Sequence, residues 1–561
     1  MPRLPAATGR SDRCYGRFEG LSSCGRNAEP LPFWRVSAIR MKTRALTAAA
    51  LSAFFISAIP AQAAAIPHPL WLGVEEIWAV GAGGGTPSPG TAGVPFEISK
   101  KIAQTGAKYQ RVSASWRQLQ PDDKFPAGPP SPTSWTDANF DQTAISQLDD
   151  AVRAAADTRP ATGFGLQVLL QVESAPYWAE DLTGRPDVGA FATEQNNYKG
   201  AWQPKSDAVK ALAQALATRY DGNDRHNTYG RLLPKITAFQ AWNEPNLSTH
   251  LAPQTSPGGT LVGPRMYREL LNAFDQGLHD SGRTDTQTVA AGMSPFGQPR
   301  GVVQGTSPQI FAQGVLCVQK AGRAFTKVPD CGPVHFDVWA QHPYDIQGLP
   351  MRPADPKGKN GLMADIPALR AAVAAGVREG TVLPAVTKPF WVTEFDWWTN
   401  PPSPEFGKSP GLAARFTMDS LWRAWSAGVD TLFWYGMRDI RTWSGGLWNA
   451  SAFPTARVGL TTRILAADKA KPSLRAFQWP FREVKGAHPY AWGIVPCRLA
   501  GQRILIDQLI KRRWRPVTHG TSAASGVFQI PLSAKGKGVG RWRARAPATC
   551  GGTSPEWNSA W

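Results

Sequence analysis

The sequence predicts an α/β chain whose main part is a (β/α)8 TIM barrel, followed by a small all-β sandwich. Three observations carry that expectation. Between about residues 70 and 475, short apolar runs rich in strand formers alternate with amphipathic stretches of helical period, the pattern of βα units on a parallel sheet. Eight such runs occur, and eight units over ~400 residues suit a barrel with long loops. After Pro472 the helical period stops, and short strand-like runs separated by Gly-, Ser- and Lys-rich turns take its place.

Composition narrows the class further. The 561 residues are 42% hydrophobic and 10% aromatic, which excludes a disordered chain. Gly and Pro number 54 and 49 without a period, which excludes a collagen-like array. The formal charge is +19. Seven Arg against Asp12, Glu19 and Glu29 in residues 1–40, with Lys42 and Arg44, account for six of those charges. The remainder is spread out, densest at Lys511, Arg512, Arg513 and Arg515 and between Arg541 and Arg545. A nucleic-acid binder concentrates its basic stripe beside a recognition motif, so no nucleic-acid partner is expected. A solvated basic face is the plainer reading, and an acidic polysaccharide or an anionic cell surface the alternative. The 23 Trp serve a large core, or the stacking of sugar rings.

From the N-terminus, Met41-Lys42-Thr43-Arg44 is a short basic segment, residues 45–59 are apolar, and Ala61-Gln62-Ala63 has the small-x-small form of a cleavage site. Residues 41–63 thus read as a signal peptide, with residues 1–40 a mis-assigned upstream segment. The apolar run is shorter than the ~20 residues a span needs, so no stable membrane insertion is expected. A secreted chain, or one at the exterior of the cell envelope, follows. The Gly/Pro-rich residues 81–95 read as a loop. Strands are expected at residues 72–78, 109–113, 165–172, 236–242, 288–291, 335–340, 390–393 and 431–435. Helices are expected at 146–156, 207–220, 267–279, 364–379 and 413–427. The barrel domain then occupies residues 64–475 and the β-sandwich residues 476–561, with strands near 492–495, 504–509, 514–517, 527–532 and 542–544. Four Cys remain after the signal: Cys317, Cys331, Cys497 and Cys550. In an oxidising compartment they pair, and sequential pairing is expected. Their spacing is not that of a zinc site, and neither a metal nor another cofactor is expected.

Two motifs carry chemistry. Gln240-Ala241-Trp242-Asn243-Glu244-Pro245-Asn246 follows an apolar run directly, and Phe390-Trp391-Val392-Thr393-Glu394-Phe395 repeats the arrangement three strands later. Each places a Glu at the C-terminal rim of a barrel, where active sites of this fold gather. Two carboxylates at one mouth are what glycoside hydrolysis requires.

With those motifs, residues 70–475 resemble a glycoside hydrolase of clan A, the retaining (β/α)8 group with Asn-Glu-Pro after strand four and Glu after strand seven; families 39 and 5 are the most similar. The resemblance implies Glu244 as general acid/base, Glu394 as nucleophile and Asn243 as partner of the sugar 2-hydroxyl. It also implies Arg111 and Tyr344 as neighbours favouring ionised Glu394, and Trp434 under the sugar at the cleavage site. His342 is a candidate for the same subsite. Glu173 and Trp178 after strand three, Trp116 after strand two, and Trp397 and Trp398 after Glu394 are candidate substrate contacts. The expected partner is an oligo- or polysaccharide.

Other classes fit less well. No GxSxG elbow is present, and Gly81-Ala82-Gly83-Gly84-Gly85 runs into a Pro-rich loop rather than a helix. The alternatives are a non-catalytic carbohydrate-binding or envelope protein on a barrel scaffold, and a polysaccharide-processing endo-hydrolase in place of an exo-glycosidase. Secretion should yield a mature chain beginning near Ala64 with no free thiol; intact-mass analysis before and after alkylation checks both.

Overall fold

Eight parallel strands close into a barrel: β1 (Trp71–Glu76), β2 (Tyr109–Ser115), β3 (Gln167–Glu173), β4 (Ala238–Ala241), β5 (Gln287–Met293), β6 (Val338–Gln341), β7 (Phe390–Val392) and β8 (Thr431–Trp434). Their order around the ring is sequential, with β8 pairing β1. The structure, a computed structural model, describes residues 67–76, 93–125, 137–159, 165–185, 200–223, 232–297, 305–322, 324–345, 352–454, 459–532 and 540–560. The expected upstream segment and signal peptide (residues 1–63), and most of the loop at 81–95, lie outside them.

A main helix follows each strand: α1 (Val94–Gln104), α2 (Gln142–Ala156), α3 (Ser206–Arg219), α4 (Gly263–Asp280), α5 (Pro308–Val315), α6 (Ile366–Arg378), α7 (Pro410–Ser426) and α8 (Pro472–Gln478), with shorter helices at Trp116–Leu119 and Thr462–Ala467. Six of them, α1 and α4 to α8, carry Pro in the first two helical positions, where its missing N–H costs nothing and its fixed φ suits the helix. Asp141 caps α2 by accepting from the Ala144 N–H. On α4, Tyr267, Leu270, Leu271, Phe274 and Leu278 form one buried stripe, as helical spacing requires. The expected helices are all present, within a few residues. Helices α1, α5 and α8 were not anticipated, and α8 carries the helical pattern past Pro472, where the sequence predicts strands to begin.

Strand alternation sorts side chains into an inner and an outer set. Leu169, Ala238, Val289, Val338, Ala340, Trp391 and Phe433 form one inner cluster, with Tyr109 against it. Their outward neighbours Leu170, Phe239, Trp339, Val392, Leu432 and Trp434 join the core beneath the helices. The inner cluster plugs the barrel, so polar residues one step further along the strands stand on an apolar floor. The Tyr267 hydroxyl of α4 donates to the Ala241 carbonyl at 2.7 Å and accepts from the Ala291 N–H at 2.6 Å. It thereby pins the end of β4 just before Asn243.

After α8 the chain forms a three-stranded sheet from β9 (Phe481–Val484), β10 (Tyr490–Ile494) and β13 (Val527–Pro531). A four-stranded sheet is built from β11 (Arg503–Ile510), β12 (Arg513–Thr521), β14 (Arg541–Arg545) and β15 (Trp557–Asn558). Met418 and Ala476 of the barrel helices join the sandwich core, while Trp492, Ile494 and Val527 join the barrel's outer core. Disulfides link Cys317 to Cys331 and Cys497 to Cys550, the sequential pairs. No helix among the described residues is long and apolar enough to cross a membrane.

Gly73 of β1 faces the inner cluster, and a Cβ there would come within 2.3 Å of the Phe433 ring. Phe433 is held by Tyr109 and Trp391 at centroid distances of 5.9 and 6.0 Å, so it has little room to yield. Gly73→Ala should therefore destabilise by about 1–3 kcal/mol, read as a lower urea midpoint with an unchanged slope.

Candidate active site

The C-terminal mouth of the barrel is organised around Arg111 of β2, which is wholly buried. Its Nη1 donates to Glu75 Oε2 of β1 at 2.6 Å and to Glu394 Oε1 at 2.7 Å. Nη2 donates to Asn243 Oδ1 at 2.9 Å, and Nε to Gln240 Oε1 at 3.2 Å. One guanidinium thus joins the exits of β1, β2, β4 and β7, which a planar five-donor group can do. Burial works against its charge, but Glu75 and Glu394 outweigh burial and raise its pKa. Ser113 donates to the other Glu75 oxygen at 3.0 Å.

The loop after β4 holds Glu244 with unusual backbone geometry. Trp242 and Glu244 have φ of 72° and 40°, a region that costs a non-glycine residue about 1–3 kcal/mol. Three bonds hold it there: Glu244 N–H donates to Gly292 O at 3.0 Å, Gln240 Nε2 to Trp242 O at 3.2 Å, and Trp242 Nε1 to His250 O at 2.5 Å. Asn246 donates to Ser294 O and Thr306 O and accepts from the Ser294 N–H, so the last residue of that motif anchors the loop.

Glu244 and Glu394 approach across the mouth. With His342, each presents one ligand-type atom within 4.8 Å of the others. His342 Nδ1 stands 3.2 Å from Glu244 Oε1, and Nε2 stands 3.0 Å from Thr393 Oγ1 and 3.5 Å from Glu394 Oε1. Tyr344 donates to Glu394 Oε2 at 3.1 Å. Such a trio suits a cation in outline, yet Arg111 already lies against Glu394 and Thr393 against His342. The arrangement favours proton chemistry over metal binding.

Burial and the charge of Glu394 push Glu244 up to about 8, since a carboxyl there is poorly solvated and faces a like charge. Burial also raises Glu394, but Arg111 and Tyr344 donate to it and oppose the rise. Of the two, Glu394 is therefore the better carboxylate and Glu244 the better acid. Burial pushes Glu75 to about 8, and drives His342 well below the usual imidazole range.

Arg111, Asn243, Glu244, His342, Tyr344 and Glu394 are thus brought together, and Glu173 joins them through His250, 3.0 Å from its Oε2. The Trp candidates separate. Trp434 is not under a sugar: it is fully buried, points outward against Phe477 of α8, and donates to Gly445 O. Its neighbour Tyr435 occupies the inward position, because successive strand residues face opposite sides. Trp397 is likewise turned outward, bonded to Ser420 and packed on Phe416 of α7. Trp398 instead contacts Trp443 at 4.5 Å, which meets Tyr435 at 5.2 Å and Tyr344 at 5.9 Å. Those rings form an aromatic wall beside Glu394. Trp178 packs edge-on to the buried Trp116 and lines a cavity of about 390 Å³ with Tyr177, Glu180 and Lys205. Sequence reasoning missed Glu75, His250, Tyr435 and Trp443. For Glu75 and Tyr435, alternation along β1 and β8 was a usable signal.

No protein-family model and no curated protein matches the chain. Solved structures do. A family 39 glycoside hydrolase from Bacteroides cellulosilyticus WH2 matches at TM-score 0.42 and 15% identity over 83% of this chain and 79% of that one. A GH5-4 broad specificity endoglucanase from Clostridium acetobutylicum matches at 0.40 and 12%, over 73% and 96%. A Bacteroides ovatus GH5 xyloglucanase in complex with a XXXG heptasaccharide matches at 0.39 and 11%, over 73% and 75%.

The raised carboxyls imply a pH dependence of stability. Glu75 and Glu244 keep protons up to about pH 8 when folded, against an ordinary value of 4.5. The unfolded chain binds fewer protons across that window, so stability should fall as pH rises from about 4.5 to 8. Urea midpoints at several pH values should show the fall, and Glu75→Gln should flatten it.

Proposed function

We propose that this chain is an exported retaining glycoside hydrolase that cleaves O-glycosidic bonds of an oligo- or polysaccharide by double displacement. One observation carries the reading: one carboxyl oxygen of Glu244 and one of Glu394 lie within 4.8 Å of each other at the barrel mouth. Retaining enzymes hold their carboxyls ~5–5.5 Å apart, whereas inverting ones leave ~6.5–9.5 Å for a water. The contrasting surroundings of the two groups supply the second requirement, an acid beside a carboxylate.

In the first step Glu394 attacks the anomeric carbon while Glu244 gives its proton to the leaving oxygen, and a glycosyl ester on Glu394 results. In the second, Glu244, now a carboxylate, takes a proton from water as that water attacks the same carbon and releases Glu394. Arg111 holds Glu394 and, through Asn243 Oδ1, leaves the Asn243 amide N–H2 to meet the sugar 2-hydroxyl. Tyr344, Tyr435 and Trp443 provide ring surface beside the nucleophile, suited to a sugar's apolar face. The two disulfides and the signal-like segment support export.

Nucleophile and acid/base can be told apart chemically. Glu394→Ala should lose activity on every substrate, and azide should restore turnover with a glycosyl azide of inverted configuration. Glu244→Ala should retain its first step on aryl glycosides with very acidic leaving groups, and azide should yield the retained product. Proton NMR of the azide products reads the outcome; a retained product from Glu394→Ala would reverse the roles. Wild-type activity in both variants would remove the site from catalysis.

A further inference from the structure

The Glu244 carboxyl stands between two imidazoles of opposite character. On the Oε1 side is His342, wholly buried and driven neutral by burial, Arg111 and His250. On the Oε2 side is His250, whose Nε2 lies 3.9 Å away. Burial alone would discharge His250 too, but Glu173 at 3.0 Å outweighs it, with help from Glu244 and Glu394, and raises His250 to about 9. The ring is placed by its backbone: the His250 carbonyl accepts the Trp242 indole, and its N–H donates to Leu247 O at 3.0 Å. His250 is therefore fixed to the same loop that carries Glu244, while Glu173 approaches from the end of β3.

We propose that Glu173 and His250 are positioning residues for Glu244: a cation oriented by Glu173 and held against Oε2, stabilising the carboxylate that forms when Glu244 releases its proton. The inference rests on the reading of Glu244 as the acid/base. The proton accounting is simple. Glu244 gives its proton to the leaving oxygen, His250 keeps its own throughout, and the new carboxylate faces an imidazolium. Glu394 is spent as an uncharged ester in that step, so without His250 the new carboxylate would have only neutral His342 beside it. Glu244 would then be too weak an acid for an unactivated leaving group. The charged and titratable groups facing this pair are Glu173 from β3, Glu394 after β7, Arg111 from β2 and His342 after β6.

His250→Phe removes the charge and leaves the backbone bond to Trp242 in place; His250→Asn does so with a polar side chain, and His250→Lys restores a cation. Removing a cation raises a carboxyl pKa, so the basic limb of kcat/KM should move up by roughly one pH unit or more in Phe and Asn, and return toward wild type in Lys. Activity on alkyl or poorly activated aryl glycosides should drop about tenfold, while dinitrophenyl glycosides should react nearly as before. An unmoved basic limb, or equal loss on both substrate classes, would overturn the proposal and leave a packing role. Infrared detection of the protonated Glu244 carboxyl, assigned by its loss in Glu244→Gln, needs no turnover. It should show the same upward shift in His250→Phe, and an unshifted band there overturns the pairing. A chain that cleaves no glycoside yet shows the shift would overturn the proposed function alone.

Discussion

A single buried guanidinium sets the geometry of the barrel mouth. Arg111 has no solvent to fall back on, so its charge is tolerable only because Glu394 balances it and Glu75 accepts a hydrogen bond from the same nitrogen. That requirement fixes where the exits of β1, β2, β4 and β7 stand relative to one another. Strain in the Glu244 loop, the approach of the two carboxyls and the contrast between them all follow from this placement. Glu75 has a second effect. It competes for the same Nη1 as Glu394, so the nucleophile's share of the positive charge depends on whether Glu75 carries a proton.

Below Arg111 the barrel is dry. Tyr109, Leu169, Trp391 and Phe433 close it, and Gly73 leaves the space that Phe433 fills. The polar layer therefore has an apolar floor and a solvent roof, which raises the cost of charge at its lower edge. Glu75 stands at the floor on β1, whereas Glu173, two strands away on β3, stands nearer the rim against His250.

Much of this was legible before any coordinates. The two glutamates stand at the ends of apolar runs, and eight such runs define a ring. Arg111, Asn243 and Tyr344 were found by resemblance; Arg111 and Tyr344 bond Glu394, and Asn243 bonds Arg111. The tryptophans show where that kind of reading stops. Trp434 and Trp397 each sit one residue from an inward position, and one residue is the difference between a cleft and a core. Glu75 lay within the first strand, where the inward alternation was not followed. His250 lies six residues past Glu244 in an irregular loop, without a period to betray which way its ring turns. Contacts made across loops depend on the whole fold, and local pattern does not encode them.

The β-sandwich has one further consequence. Only two residues separate α8 from β9, and Trp492 packs on Trp425 of α7 at 5.7 Å. Arg498 reaches back to Gly106 O, and Ser525 accepts from the Leu70 N–H. Modules on flexible tethers gain avidity by sweeping a volume, with an effective concentration set by linker length. Here there is no tether to tune. Any surface the sandwich offers to a long chain-like partner lies at a constant vector from the barrel mouth. It would act as a ruler, favouring partners whose spacing matches that vector rather than raising local concentration. Exchange of such a module between proteins would also cut through a shared core, so the two parts are bound to change together.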